Sequence, residues 1–277
     1  MAAPRWFAHA NVNARDLEAS ERFYVSCFDL TPRGRTAPEA AQDGAGFGLA
    51  GVPVRWRGVF LADHRGNRSP VVDLLQWLEP PTEGVAYERP DHLGLVALRF
   101  GAADPGAVAA RLTSAGAPVT HEDGMVVTAD PSGTRIEVFG RDGPITYAGL
   151  RVNCTDLGTS AVFYRAALHL DGDEPEETER WTAQRMYLPG QREQFSVWLT
   201  QWRSGPVGTP YAAGHHAGIY RTALFADDAE ASYVDVRQVV PRVAPPVVVA
   251  LGEGLADVWA IFFPDPDGAV LELVGPA

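Results

Sequence analysis

The chain has 277 residues, 46% of them hydrophobic and 21% charged, an ordinary globular composition with apolar material enough for about two domains. It contains no run of about twenty apolar residues, so no membrane-spanning helix is expected, and MAAPRWFAHANV does not read as a secretory signal. A net charge of -12 with no Lys/Arg cluster argues against nucleic acid, whose phosphates demand a basic face. The expectation is a cytoplasmic protein acting on a small molecule, monomeric or homodimeric, with neither nucleic acid nor membrane as partner.

Taken in chain order, strand-like WFAHANVNA comes first. A helix follows with Asp16 as N-cap and Leu17, Ser20, Phe23, Tyr24 and Cys27 on one face. VRWRGVFLA and VVDLLQWL read as strands, as does HLGLVALRF. The next helix has Asp104 as N-cap, Pro105 in first position and Gly116 past its last turn. Short strands are predicted around 118–121 and 124–129, and TRIEVF follows the DPSG turn. Cys27 and Cys154 are too few and too isolated for a disulfide framework or a zinc knuckle, and are expected as buried free thiols.

The landmarks then return in the same order. Asp16-Leu17-x-x-Ser20-x-x-Phe23-Tyr24 recurs as Asp156-Leu157-x-x-Ser160-x-x-Phe163-Tyr164, and His92-x-Gly94 as His216-x-Gly218. Asp130-Pro131-Ser132-Gly133-x-x-x-Glu137 recurs as Asp265-Pro266-Asp267-Gly268-x-x-x-Glu272. A boundary near Gly143-Pro144, in the turn-rich GRDGP, divides the chain into domains 1–142 and 143–277. Strand, helix and three strands occur twice per half, four times in all. That order predicts an α+β fold of βαβββ modules whose mixed sheets curl into half-barrels.

A His seven residues before Asp-Leu-x-x-Ser-x-x-Phe-Tyr, a His opening the fifth strand and Asp-Pro-x-Gly-x-x-x-Glu in the last resemble the vicinal-oxygen-chelate superfamily. Glyoxalases, fosfomycin-resistance proteins, methylmalonyl-CoA epimerases and type I extradiol dioxygenases belong to it. The resemblance covers the whole chain, twice, and implies the fold more firmly than any one reaction.

It also implies a divalent-metal site at His9, His92 and Glu137. Strand alternation agrees: His9, Asn11 and Asn13 share one face, and Glu137 shares its face with Arg135 and Phe139 while Ile136 and Val138 face the core. Two His and one carboxylate suit Fe(II) and tolerate Zn, Ni, Co or Mn. The C-terminal half has Gly149 where the first His belongs but keeps His216 and Glu272. Unless His215 is recruited, that half is expected to be structural or to cover the pocket.

Asp73, in the strand where glyoxalases and epimerases place a fourth ligand, is left open. Ligation by Asp73 favours Lewis-acid chemistry, whereas three protein ligands leave room for substrate and O2. His121 resembles the second-sphere His of extradiol dioxygenases, with a solvated loop His as the plain alternative, and His64 lies in a turn. Asn11, Asn13, Trp56, Phe60 and Trp77 are candidate pocket residues. The leading expectation is an Fe(II)-dependent, extradiol-type dioxygenase binding a substrate with adjacent oxygens. A glyoxalase-like lyase, isomerase or epimerase comes second, and a metal-free binding or antibiotic-resistance protein third.

Overall fold

The computed structural model describes residues 3–66 and 69–277. Four βαβββ-like modules follow one another. The first comprises β1 (Trp6–Asn13), α1 (Leu17–Phe28), β2 (Thr31–Thr36), β3 (Gln42–Asp43), β4 (Pro53–Ala62) and β5 (Val71–Glu79). The second has β6 (Gly94–Ala102), α2 (Pro105–Ser114), β7 (Thr120–Glu122), β8 (Met125–Ala129) and β9 (Arg135–Gly140). The third has β10 (Thr146–Asn153), α3 (Leu157–Leu168), β11 (Asp171–Gly172), β12 (Glu176–Glu177), β13 (Trp181–Tyr187) and β14 (Ser196–Trp202). The fourth has β15 (Gly218–Phe225), α4 (Ala229–Val239), β16 (Val247–Val249), β17 (Val258–Pro264) and β18 (Val270–Pro276).

Each helix begins where an aspartate stops the preceding strand. Asp16, Asp104, Asp156 and Asp228 are the four N-caps, each accepting a hydrogen bond from the amide three residues on. The repeated Phe-Tyr and Asp-Pro-x-Gly landmarks meet in space. The Tyr24 hydroxyl donates to Asp130 Oδ2 at 3.1 Å, and Tyr164 donates to Asp265 Oδ2 at the same distance. Each bond ties the helix of one module to the turn of the next within the same half.

The sheets are shared the other way. One runs β16-β17-β18-β15-β1-β5-β4-β2 and joins the first module to the fourth; the other runs β11-β13-β14-β10-β6-β9-β8-β7 and joins the second to the third. The first strand of every module has a free edge, and these edges pair antiparallel, β1 with β15 and β10 with β6, which satisfies their backbone groups. A hollow built wholly within the N-terminal half, as the sequence suggested, is therefore replaced by hollows to which both halves contribute. The outer apolar sides of the sheets and the helices form one large core containing Phe7, Phe28, Phe100, Tyr164 and Phe263. Cys27 and Cys154 are free and buried within it, as expected. Among the described residues no helix is long and apolar enough to cross a membrane.

Candidate functional site

The inner face of the first sheet encloses a hollow of about 460 Å³. That volume lies within the range of small-molecule sites. Alternation decides what lines it. Asn11 is paired in register with Asp73 on one side and Arg221 on the other, while Ala223 is paired with Glu272, so these positions share the concave face. Trp6, Phe47, Trp56, Phe60, Phe225 and Phe262 supply an aromatic wall. The segment between β16 and β17 closes one side with Leu251, Leu255 and Ala256, held by a reciprocal pair of hydrogen bonds between the Gln42 side chain and the Ala250 backbone.

One wall is polar. His9 Nε2 lies 3.0 Å from Glu272 Oε2 and 3.9 Å from Asp73 Oδ2. Arg221 bridges the two carboxylates: its Nε donates to Glu272 Oε2 at 2.8 Å, and its Nη2 is 3.6 Å from Asp73 Oδ2. Its Nη1 donates to Asn11 Oδ1 at 3.1 Å, and the guanidinium carbon lies 5.4 Å from the Phe47 ring centre and 5.8 Å from that of Phe262. Burial pushes the Glu272 carboxyl up, but Arg221 and His9 outweigh it and hold the group at about 2. Burial wins at Asp73, whose carboxyl is raised above the usual range despite the pull of His9 and Arg221. Asp73 Oδ1 is buried without a hydrogen-bond partner, an uncommon and costly state for a polar atom.

The expected triad does not assemble. His9 lies in the first hollow, but Glu137 lies on β9 of the other sheet, where its carboxylate meets Arg135, Arg151 and Arg99 at 3.1, 3.1 and 3.5 Å. Burial raises its carboxyl, and those three cations overcome the effect and lower it. His92 precedes its strand instead of opening it, because β6 begins at Gly94, a residue with φ 99°. Its ring stacks on Tyr87 at 3.7 Å, Tyr87 on Tyr211 at 4.1 Å, and Tyr211 on His216 at 4.2 Å. His92 and His216 are thus the two ends of a four-ring stack formed by equivalent segments of the halves. His215, next to the stack, is buried, with Nε2 3.1 Å from Glu83.

Of the softer candidates, Trp56 and Phe60 line the hollow, and Asn11 braces Arg221 and the Asp73 carbonyl. Asn13 instead pins the Gly214 and His216 carbonyls and accepts from Trp77 Nε1, so both it and Trp77 stand behind the wall. His121 is exposed on β7, the edge of the second sheet, and is not beside His9. His64 is exposed, with Nδ1 3.4 Å from the Ile145 carbonyl. The sequence reading missed Arg221 and undervalued Glu272. Inward alternation along GIYRTALF and VLELVGP was the available signal, once the fourth module is set against the first.

A divalent metal of the kind the sequence resemblance implies would have to take its donors from this wall. His9, Asp73 and Glu272 are suitable donor types, but a buried guanidinium already bridges the two carboxylates. Arg221 stands between them and already neutralises part of their charge, so a divalent ion could take both carboxylates only by displacing a buried guanidinium that would then have no counter-charge. Among the described residues no group of three or more His, Cys, Asp or Glu is arranged to hold a metal ion. The residues as placed do not fit a resident divalent ion.

The sequence profile of the Glyoxalase/Bleomycin resistance protein/Dioxygenase superfamily matches residues 6–138. Those residues form the N-terminal half, which belongs to this group, the vicinal-oxygen-chelate superfamily, and the C-terminal half repeats its fold. No curated protein matches it in sequence. Among solved structures, glyoxalase I from Zea mays is similar with a TM-score of 0.75 at 18% identity, over 98% of this chain and 92% of that one. A candidate dioxygenase from Bacillus subtilis gives 0.67 at 14% identity, over 100% and 86%. At such identities the likeness shows the fold and leaves the chemistry to the site.

Proposed function

We propose that the chain binds a small, largely apolar molecule in the first hollow, and that His9, Asp73, Arg221 and Glu272 address one polar group on it without an intervening divalent ion. Arg221 carries this reading, because it is buried and bridges the carboxylates a metal would need. The aromatic wall supplies affinity, each 100 Å² of apolar surface removed from water contributing about 2.5 kcal/mol. The polar wall supplies orientation. Asp73 Oδ1 lacks a partner, and Arg221 uses only Nε and Nη1 in hydrogen bonds to the protein. A hydroxyl, which accepts from one group and donates to the other, meets both needs.

The test combines metal analysis of anaerobically purified protein with a titration of 1-naphthol followed by tryptophan fluorescence. Saturable quenching that survives EDTA, in protein with well under one equivalent of metal, is expected. Arg221→Gln should weaken that binding at least tenfold. A second reading, a metal-dependent enzyme acting on adjacent oxygens, is favoured by His9, Asp73 and Glu272 sharing one wall within 3.9 Å of the imidazole. It requires Arg221 to leave. One equivalent of iron, zinc, nickel, cobalt or manganese in the purified protein, with binding lost on chelation, would establish it over ours.

A further inference from the structure

The inner face of the second sheet carries a charge pattern opposite to that of the first. The matching registers of β1 with β5 and β15, and of β10 with β14 and β6, set Arg151 at the place of Asn11, Trp198 at that of Asp73 and Arg99 at that of Ala223. The pairings of β15 with β18 and β6 with β9 set Glu137 at the place of Glu272 and Arg135 at that of Val270. Arg99, Arg135 and Arg151 are 7%, 9% and 4% exposed, and they converge on one carboxylate that is fully buried.

The count of partners falls short. Arg135 is satisfied by Glu122 as well as Glu137. Arg99 is not: its Nε has no hydrogen-bond partner, its Nη2 reaches only the Met125 sulfur at 3.4 Å, and its guanidinium carbon lies 4.2 Å from the Trp198 ring centre. Arg151 Nε is also buried without a partner. Arg185 lies 5.9 Å from the same Trp198 ring but is already partnered, by Glu193 at 3.6 Å, the Ser196 hydroxyl at 2.8 Å and the Arg192 carbonyl. A guanidinium has five N–H donors and no acceptor, and a buried one without acceptors is among the costlier arrangements in a protein. Glu137 Oε2 faces Arg99 Nε at 3.5 Å and Arg151 Nη2 at 3.1 Å without a full hydrogen bond, so one carboxylate is spread over three cations and leaves N–H donors that a further anion would satisfy.

We propose that the inner face of the second sheet is an oxyanion-binding site, in which Arg99 and Arg151 take a carboxylate or phosphate group against Trp198. The planar fork of each arginine suits either anion. Trp198 would sense its arrival, since neutralising Arg99 changes the charge stacked on the indole. This site is separate from the first hollow and does not rest on what binds there.

The test is a titration of the full-length protein with inorganic phosphate and, separately, with benzoate, against chloride at matched ionic strength. Thermal unfolding and tryptophan fluorescence are the readouts. A specific anion should raise the Tm by a few degrees once it exceeds its Kd about tenfold. That rise, with a saturable fluorescence change, should be absent in Arg99→Gln/Arg151→Gln and survive in Arg33→Gln, at the mouth of the first hollow. A response to benzoate alone assigns the anion as a carboxylate, and one to phosphate alone assigns a phosphate. Arg99→Gln measured without added anion guards against a variant that fails to fold: losing an under-partnered cation should leave its Tm equal to or above wild type. No anion-specific rise in wild type, an equal rise in the double variant, or a marked loss of Tm in Arg99→Gln would each overturn the proposal.

Discussion

His9 hydrogen-bonds Glu272 across 263 residues of sequence, at 3.0 Å. The bond closes the polar wall of the first hollow with one residue from each end of the chain. Glu272→Gln should therefore weaken 1-naphthol binding about tenfold or more, because Arg221 loses its closest counter-charge and turns toward Asp73. Glu137→Gln should leave that binding within twofold, since Glu137 belongs to the other sheet. Equal losses in the two variants, read by the same fluorescence titration, would contradict the crosswise assembly.

The same geometry predicts the cost of removing Arg221. Arg221→Met leaves Asp73 and Glu272 facing each other with no fixed cation between them, and breaking such a buried network typically costs about 3–5 kcal/mol. Urea denaturation at pH 7 should show a loss of that order. Adding Asp73→Asn and Glu272→Gln in the same chain should recover much of it, because no uncompensated charge is then buried. A triple variant as unstable as the single one would mean that Arg221 acts by packing.

His92 and Gly208 test the ring stack. Gly208 has φ 71°, and a Cβ placed there would lie 2.2 Å from His92 Nε2; Gly84 stands in the same relation to His216 at 2.1 Å. Gly208→Ala should cost more than about 1 kcal/mol through backbone strain and displacement of the ring. His92→Ala should cost about 1 kcal/mol through the lost stack on Tyr87 and leave 1-naphthol binding within twofold. A loss of 1-naphthol binding as large as that of Arg221→Gln would place this residue at the first hollow instead.

These variants follow from what the sequence did and did not make legible. The modules, the Asp16 and Asp104 caps and the inward faces of β1 and β5 follow from period and capping chemistry, which are local. The partner of each module is not local. Pairing first with second or first with fourth satisfies the free edge of β1 equally, so the residues of that strand do not choose between them. The triad failed on this choice, because Glu137 and Glu272 occupy the same place in their strands and only the crosswise pairing puts Glu272 beside His9. His92 failed for a different reason, the left-handed turn at Gly94 that holds it off the strand.

Asp130 offers a test through acidity. Burial pushes its carboxyl up to about 6, against the pull of the Thr134 and Ser132 amides and the Tyr24 hydroxyl, and burial does the same to Asp265 in the equivalent turn. An acid whose folded value is raised above its unfolded value of about 4 favours the folded state while protonated. Its contribution is complete below pH about 4 and is lost as the pH rises through about 6, amounting to about 3 kcal/mol for a shift of this size. Glu272, held at about 2, has the opposite sign: its contribution is present above its unfolded value of about 4.5 and is lost as the pH falls toward 2. The two effects occupy different windows and can be separated by one variant. In Asp130→Asn the amide oxygen still accepts from Ser132 and Thr134, and the new N–H₂ can donate to the Tyr24 oxygen. Urea denaturation of this variant should match wild type near pH 4, exceed it by about 1–3 kcal/mol at pH 8, and leave the acid-side loss due to Glu272 in place. A variant weakened equally at pH 4 and pH 8 would show that the native Asp130 is ionised throughout and that its hydrogen bonds, not its burial, set its acidity.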